Sequence, residues 1–229
     1  MSKKTNLRNV AIAACLAVMA AGLISCGGSG SGKKLAENAV FGDLPNIMYQ
    51  YNYQDSVFKA ERDKAQEGLP FSESGMKKGM KIEKKYDEKR KAAKEQLAAD
   101  LQKLKTSLVG RDVPTEVEAG LGFEITSCKI AEVDETGGVS VEFVLKITDA
   151  TPLLKQVGMK YSNFFECQTS MVDKSGDEIS ASYCKVKLPE GANKKALNGL
   201  EITDKYYIGI ASNKLKQWVE FEKIKFVSY

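Results

Sequence analysis

The chain contains no histidine. That absence removes Ser-His and Cys-His nucleophile pairs, imidazole general bases and His-containing zinc sites. A phosphate-binding glycine loop and a dinucleotide fingerprint are also missing, since Gly120-Leu121-Gly122 and Gly137-Gly138 read as turns. The carboxylate pairs Asp134 with Glu135 and Asp177 with Glu178 both flank turn sequences, where acids are common. No catalytic residue, metal ligand or cofactor is expected, and the chain does not read as an enzyme.

A surplus of positive charge is missing too, once the N-terminus is set aside. The chain has 34 basic and 30 acidic residues, but Lys3, Lys4 and Arg8 belong to a segment expected to be removed, leaving 31 against 30. A nucleic-acid partner is therefore not implied. Composition is otherwise that of a globular protein, with 43% hydrophobic and 28% charged residues.

The removable segment is residues 1–25. Lys3, Lys4 and Arg8 precede the apolar stretch Val10 to Leu23, which is shorter than the ~20 residues of a bilayer-spanning helix. It ends in Leu23-Ile24-Ser25-Cys26, and polar Gly27 to Lys34 follows directly. This arrangement resembles the lipoprotein signals of diderm bacteria. The resemblance implies acylation of Cys26 and cleavage before it, and two or three acyl chains make a stable anchor. Residues 26–43 read as the lipidated cysteine and a flexible tether, opened by Gly27-Gly-Ser-Gly-Ser-Gly32. No Asp follows Cys26 and no acidic run lies close behind it. By resemblance, that implies the outer membrane, periplasmic face, over inner-membrane retention or export to the surface.

Residues 44–109 read as a helical hairpin. Leu44, Ile47, Tyr51, Phe58 and Ala65 recur at helical spacing, Pro45 suits a first turn, and Gly68-Leu69-Pro70 breaks the pattern. A second helix opens near Ser72 or Ser74 and carries Ala93, Leu97, Leu101, Leu104 and Leu108 on one stripe. Between Met76 and Leu108 it has eleven basic and five acidic residues. The plainer reading is a solvated face. The sharper one is contact with an anionic surface, lipopolysaccharide phosphates or lipid headgroups, through Lys77, Lys78, Lys81, Lys84, Lys85 and Lys89. Their scatter around the helix favours the plainer reading.

Residues 110–229 change to alternation. Val139, Val141, Phe143, Leu145 and Ile147 alternate with more polar neighbours after the Glu135 to Gly138 turn, and Phe123 to Val133 supplies a partner. Phe164 to Val172, Glu178 to Leu188, Glu201 to Ala211 and Gln217 to Val227 bring the total to about six strands, with a short helix near Thr151 to Gly158. The fold class expected is α+β: the helical hairpin, then an antiparallel β-sandwich. The sandwich is similar in pattern to the immunoglobulin-like domains of many envelope lipoproteins. Trp218, Tyr206, Tyr207, Tyr161 and Phe164 suit either a sugar or peptide platform or, by their strand positions, core packing.

Cys15 leaves with the signal and Cys26 carries lipid, so Cys128, Cys167 and Cys184 remain. If Ser175-Gly176 is a two-residue loop, Cys167 faces Cys184 at a non-hydrogen-bonded position and a disulfide is within reach. A three-residue loop with a glycine bulge instead sets Cys167 opposite Tyr183. Both registers fit the sequence.

The function expected is a membrane-anchored envelope lipoprotein, a non-catalytic binding or scaffolding subunit facing the periplasm. Its partners would be the membrane, through acylated Cys26, and an envelope protein or glycan. The alternative is a surface-exposed adhesin or fimbrial-type lipoprotein.

Overall fold

The computed structural model describes residues 34–160, 163–191, 193–210 and 212–228. The lipobox, Cys26, most of the tether and Tyr161 lie outside the described residues. Residues 34–229 form one compact unit with this element order: α1 (Leu44–Gln66), α2 (Glu73–Leu108), β1 (Thr115–Val117), β2 (Phe123–Val133), β3 (Val139–Ile147), α3 (Ala150–Lys160), β4 (Phe164–Asp173), β5 (Glu178–Lys187), α4 (Lys194–Leu197), β6 (Glu201–Ile208), α5 (Leu215–Trp218) and β7 (Phe221–Val227). The protein is thus α+β, with two N-terminal helices followed by seven strands in two sheets.

The segment before α1 is part of the fold. Asn38 and Gly42 exchange backbone hydrogen bonds of 2.9 and 2.8 Å around a tight turn, with Gly42 at φ +56°. Val40, Phe41 and Leu44 then enter the core. The Asn38 side chain is itself buried. Its Nδ2 donates to the carbonyls of Val219 and Phe221, both at 2.9 Å, and its Oδ1 accepts from the amides of Val40 at 2.8 Å and Phe41 at 2.9 Å. One amide thus satisfies four backbone groups that would otherwise be buried unpaired.

Helices α1 and α2 form an antiparallel hairpin with two distinct halves. Near the sheets, Leu44, Met48, Leu97, Leu101 and Leu108 join the main core, as the Leu97 to Leu108 stripe leads one to expect. Farther out, α1 has no buried residue beyond Met48, and α2 has only Gly75 and Tyr86 before Leu97. Ala65, expected on the buried stripe, is exposed. Polar contacts hold this outer half. Arg90 grips Asp55 in a fork of 2.6 and 3.2 Å, Lys89 meets Glu61 at 2.9 Å, and Gln66 donates to Glu83 at 2.8 Å.

The connecting turn is set by local chemistry. Ser72 caps α2 by accepting from the Gly75 amide at 3.2 Å. The Ser72 amide donates to the Pro70 carbonyl at 2.8 Å, bringing that carbonyl so near Gly75 that a Cβ there would stand 1.9 Å from it. Only glycine fits at this point.

One sheet has the order β1-β7-β4-β5 and the other β2-β3-β6. All pairings are antiparallel except β1 with β7, the strand beyond the expected six, which runs parallel in a three-residue match from Thr115 with Ile224 to Val117 with Phe226. Gln217 and Trp218, expected at the start of the last strand, lie in α5 instead. Inner faces of the two sheets share one core. Phe123 and Phe143 of one sheet meet Phe226 of the other at ring separations of 6.1 and 5.8 Å, and Thr169 Oγ1 lies 2.8 Å from the Tyr206 hydroxyl. Strand β2 keeps Phe123, Cys128, Ile130 and Val133 buried by inserting bulges between Ile125 and Ser127 and between Ile130 and Glu132.

Candidate functional site

Three places bring chemically distinctive residues together. The first is the cysteine pair on β4 and β5. Cys167 lies directly opposite Cys184, and both are buried free thiols. The turn that leads there is the three-residue one, with the Asp173 amide donating to the Asp177 carbonyl at 3.0 Å and Gly176 at φ +86°. A bulge between Met171 and Val172 then shifts the register by one, so the pairing otherwise expected of a two-residue loop is restored. The Leu188 amide donates to the Asn163 carbonyl at 2.7 Å, and the alternation from that bond makes Cys167 and Cys184 a hydrogen-bonded pair rather than a non-hydrogen-bonded one. Cα atoms at such a pair are about 5.5 Å apart, near the commonest disulfide separation. Contact with the Cys167 thiol, then burial, pushes the Cys184 thiol up. Cys128 is separate, on β2, and burial pushes its thiol up to about 12.

The second place is the outer half of α2. Here the structure divides the six lysines singled out in the sequence. Lys89 is occupied by Glu61 and by the rings of Phe58 at 5.2 Å and Tyr86 at 4.8 Å. Lys77 pairs with Glu73 at 2.6 Å, and Lys85 lies 5.6 Å from the Tyr86 ring centre. Among the described residues, Lys78, Lys81 and Lys84 make no ion pair. Beside them the structure exposes three apolar side chains that hydrophobic periodicity does not mark as a surface: Phe71 at 109% of its reference area, Met76 at 63% and Met80 at 73%.

The third place is a cleft of about 510 Å³ between residues 37–43 and the end of α2. Arg111 braces its floor by donating to the carbonyls of Ala39, Val40 and Ser107 at 3.3, 3.2 and 3.2 Å. Its charge is thereby committed to holding the chain.

The aromatic residues divide. Trp218 and Tyr206 are core, as their positions lead one to expect, whereas Tyr207 and Phe164 are exposed at 55% and 41%. Tyr207 donates to Asp134 Oδ2 at 3.0 Å, fastening β6 to the β2–β3 turn. Burial works upward on the Asp134 carboxyl, but hydrogen bonds from Thr136, Gly138 and Tyr207 outweigh it and hold it below its ordinary value. Asp134 is thus the clasp of its own turn. Asp149 does the same before α3, accepting from the Thr151 hydroxyl and amide at 2.6 and 3.0 Å, which with Lys194 holds it down to about 2. Among the described residues, no group of three or more Cys, Asp or Glu is placed to hold a metal ion.

Comparison with protein-family models, with curated proteins and with solved structures finds no match to this chain.

Proposed function

We propose that the protein is a membrane-anchored lipoprotein of the cell envelope whose folded part, an immunoglobulin-like sandwich with a helical arm, serves as a non-catalytic binding or scaffolding subunit facing the periplasm. The observation that carries this reading is Leu23-Ile24-Ser25-Cys26 at the end of a short apolar run, followed by a Gly/Ser segment. The test is protease treatment of intact and lysed cells, following the fragment from Lys33 to Tyr229 by mass spectrometry, with a Cys26→Ser control. Cleavage only after lysis, and release of the control but not of the parent chain from membranes by a high-salt wash, is the expected result. Cleavage on intact cells would move the protein to the surface and favour the adhesin reading.

An oxidising envelope also sets the expected state of the cysteine pair. Cys167 and Cys184 should be joined in the mature protein, and closing a loop of this size stabilises by about 3 kcal/mol. Non-reducing peptide mapping should recover the two in one cross-linked fragment, and Cys184→Ala should lower the urea midpoint of oxidised protein by much more than that of reduced protein, where only the buried thiol is lost. Alkylation of both thiols without prior reduction would reject the bond.

A further inference from the structure

We infer that the tip of the helical arm docks on a lipid bilayer bearing anionic headgroups. The tip is the turn from Glu67 to Ser72 with the first turns of α2. Leu69 folds back over Gly79, where its Cδ1 lies 3.8 Å from the place a Cβ would take, and the close approach of Pro70 to Gly75 fixes the turn. Fixed in this way, the turn sends Phe71 wholly into solvent. Met76 and Met80, four residues apart, lie on one face of the helix and are both more than half exposed. Successive residues turn by about 100°, so Lys84, Lys77 and Lys81 continue that face beside the methionines. From Met76 to Lys85 there is one acid, Glu83. It is turned toward α1, accepting from Gln66 at 2.8 Å and lying 3.9 Å from Arg62. The apolar side chains of the tip are thus bordered by Lys81 and Lys84, which make no ion pair among the described residues, and by Lys77, which pairs with the exposed Glu73 at 2.6 Å.

Charge and residue type together favour lipid over protein as the occupant. Protein interfaces are enriched in Met, aromatic residues and Arg but depleted in Lys, and every cation from Met76 to Lys85 is Lys, so it is the charged part of this face that favours lipid. Lysine stems lie along an apolar layer while their ammonium groups reach the headgroups, and the flexible methionine chains adapt to a fluid one. Phe71 stands where an amphipathic surface element places its buried aromatic residue. The inference uses only described residues and does not depend on the anchor at Cys26.

The test uses the unlipidated mature chain carrying Cys26→Ser, sedimented with vesicles of phosphatidylcholine mixed with phosphatidylglycerol and with phosphatidylcholine alone. Retention on the anionic vesicles only is expected. Each lysine near an anionic surface strengthens binding roughly fivefold, so Lys81→Glu with Lys84→Glu should weaken retention by well over tenfold. A second variant, Phe71→Ser with Met76→Ser and Met80→Ser, should weaken it about tenfold with the circular-dichroism melt unchanged, because all three side chains are exposed. No retention of the parent chain would overturn the inference and point to an acidic protein partner instead. Retention undiminished by the serine variant would also overturn it, since attraction of charge alone needs no apolar tip.

Discussion

Replacing Asn38 with aspartate is expected to lower the free energy of unfolding by about 3–5 kcal/mol, the range for a buried polar group set against partners it cannot satisfy. The side-chain oxygen that accepts from Val40 and Phe41 survives the change. The nitrogen that donates to Val219 and Phe221 becomes an oxygen, leaving like charge facing two carbonyls at 2.9 Å in a buried site. Acidification should reduce the loss, because the protonated carboxyl regains one donor. Urea unfolding at neutral and acidic pH, followed by circular dichroism, measures both effects. A variant as stable as the parent at neutral pH would mean that residues 38–44 contribute little to the core.

Trp218→Ala should be comparably severe, about 3–5 kcal/mol. The ring is fully buried, meeting Phe41 edge-on at 5.6 Å and stacking on Phe221 at 5.8 Å, so its removal opens a void where the N-terminal segment, α5 and β7 converge. Trp218→Phe should cost far less, roughly 1 kcal/mol, because an unpartnered buried donor is removed together with the lost area. The indole Nε1 has no hydrogen-bond partner among the described residues. This is the only tryptophan in the chain, so unfolding is followed by circular dichroism rather than by emission. Equal losses in the two variants would show that the indole nitrogen is satisfied in solution.

The helices were legible in the sequence because both of their signals are local. Spacing at three and four residues gave Leu97 to Leu108, and the break at Gly68-Leu69-Pro70 with the Ser72 cap gave the turn. The outer half was less so, since Ala65 keeps helical spacing although the two helices there are joined by ion pairs. Strand bulges leave no compositional mark. Those near Thr126 and Ala131 preserve burial while breaking alternation, and the one beside Val172 reconciles a three-residue turn with the register of a two-residue one. Strand β1 is three residues long, too short for alternation to register. Of the candidate tip, the lysines could be read from charge alone. Phe71 could not, because its exposure depends on how Pro70 packs against Gly75. Asn38 was invisible for a different reason, its carbonyl partners lying 181 and 183 residues away.

The grip of Asn38 on the run into β7 also has a mechanical meaning. A pull on the chain at Lys34 meets first the Leu35 amide, which donates to Asn46 Oδ1 at 3.1 Å, and then Asn38, which passes it to Val219 and Phe221. Strand β7 lies between β1 and β4, so the tension that reaches it spreads through the interior of a sheet. Of the arm, the first turn of α1 shares that load through Asn46. The arm's 23-residue first helix makes a lever about 35 Å long. Whatever engages Phe71 at one end turns that lever against a pivot held still by the core.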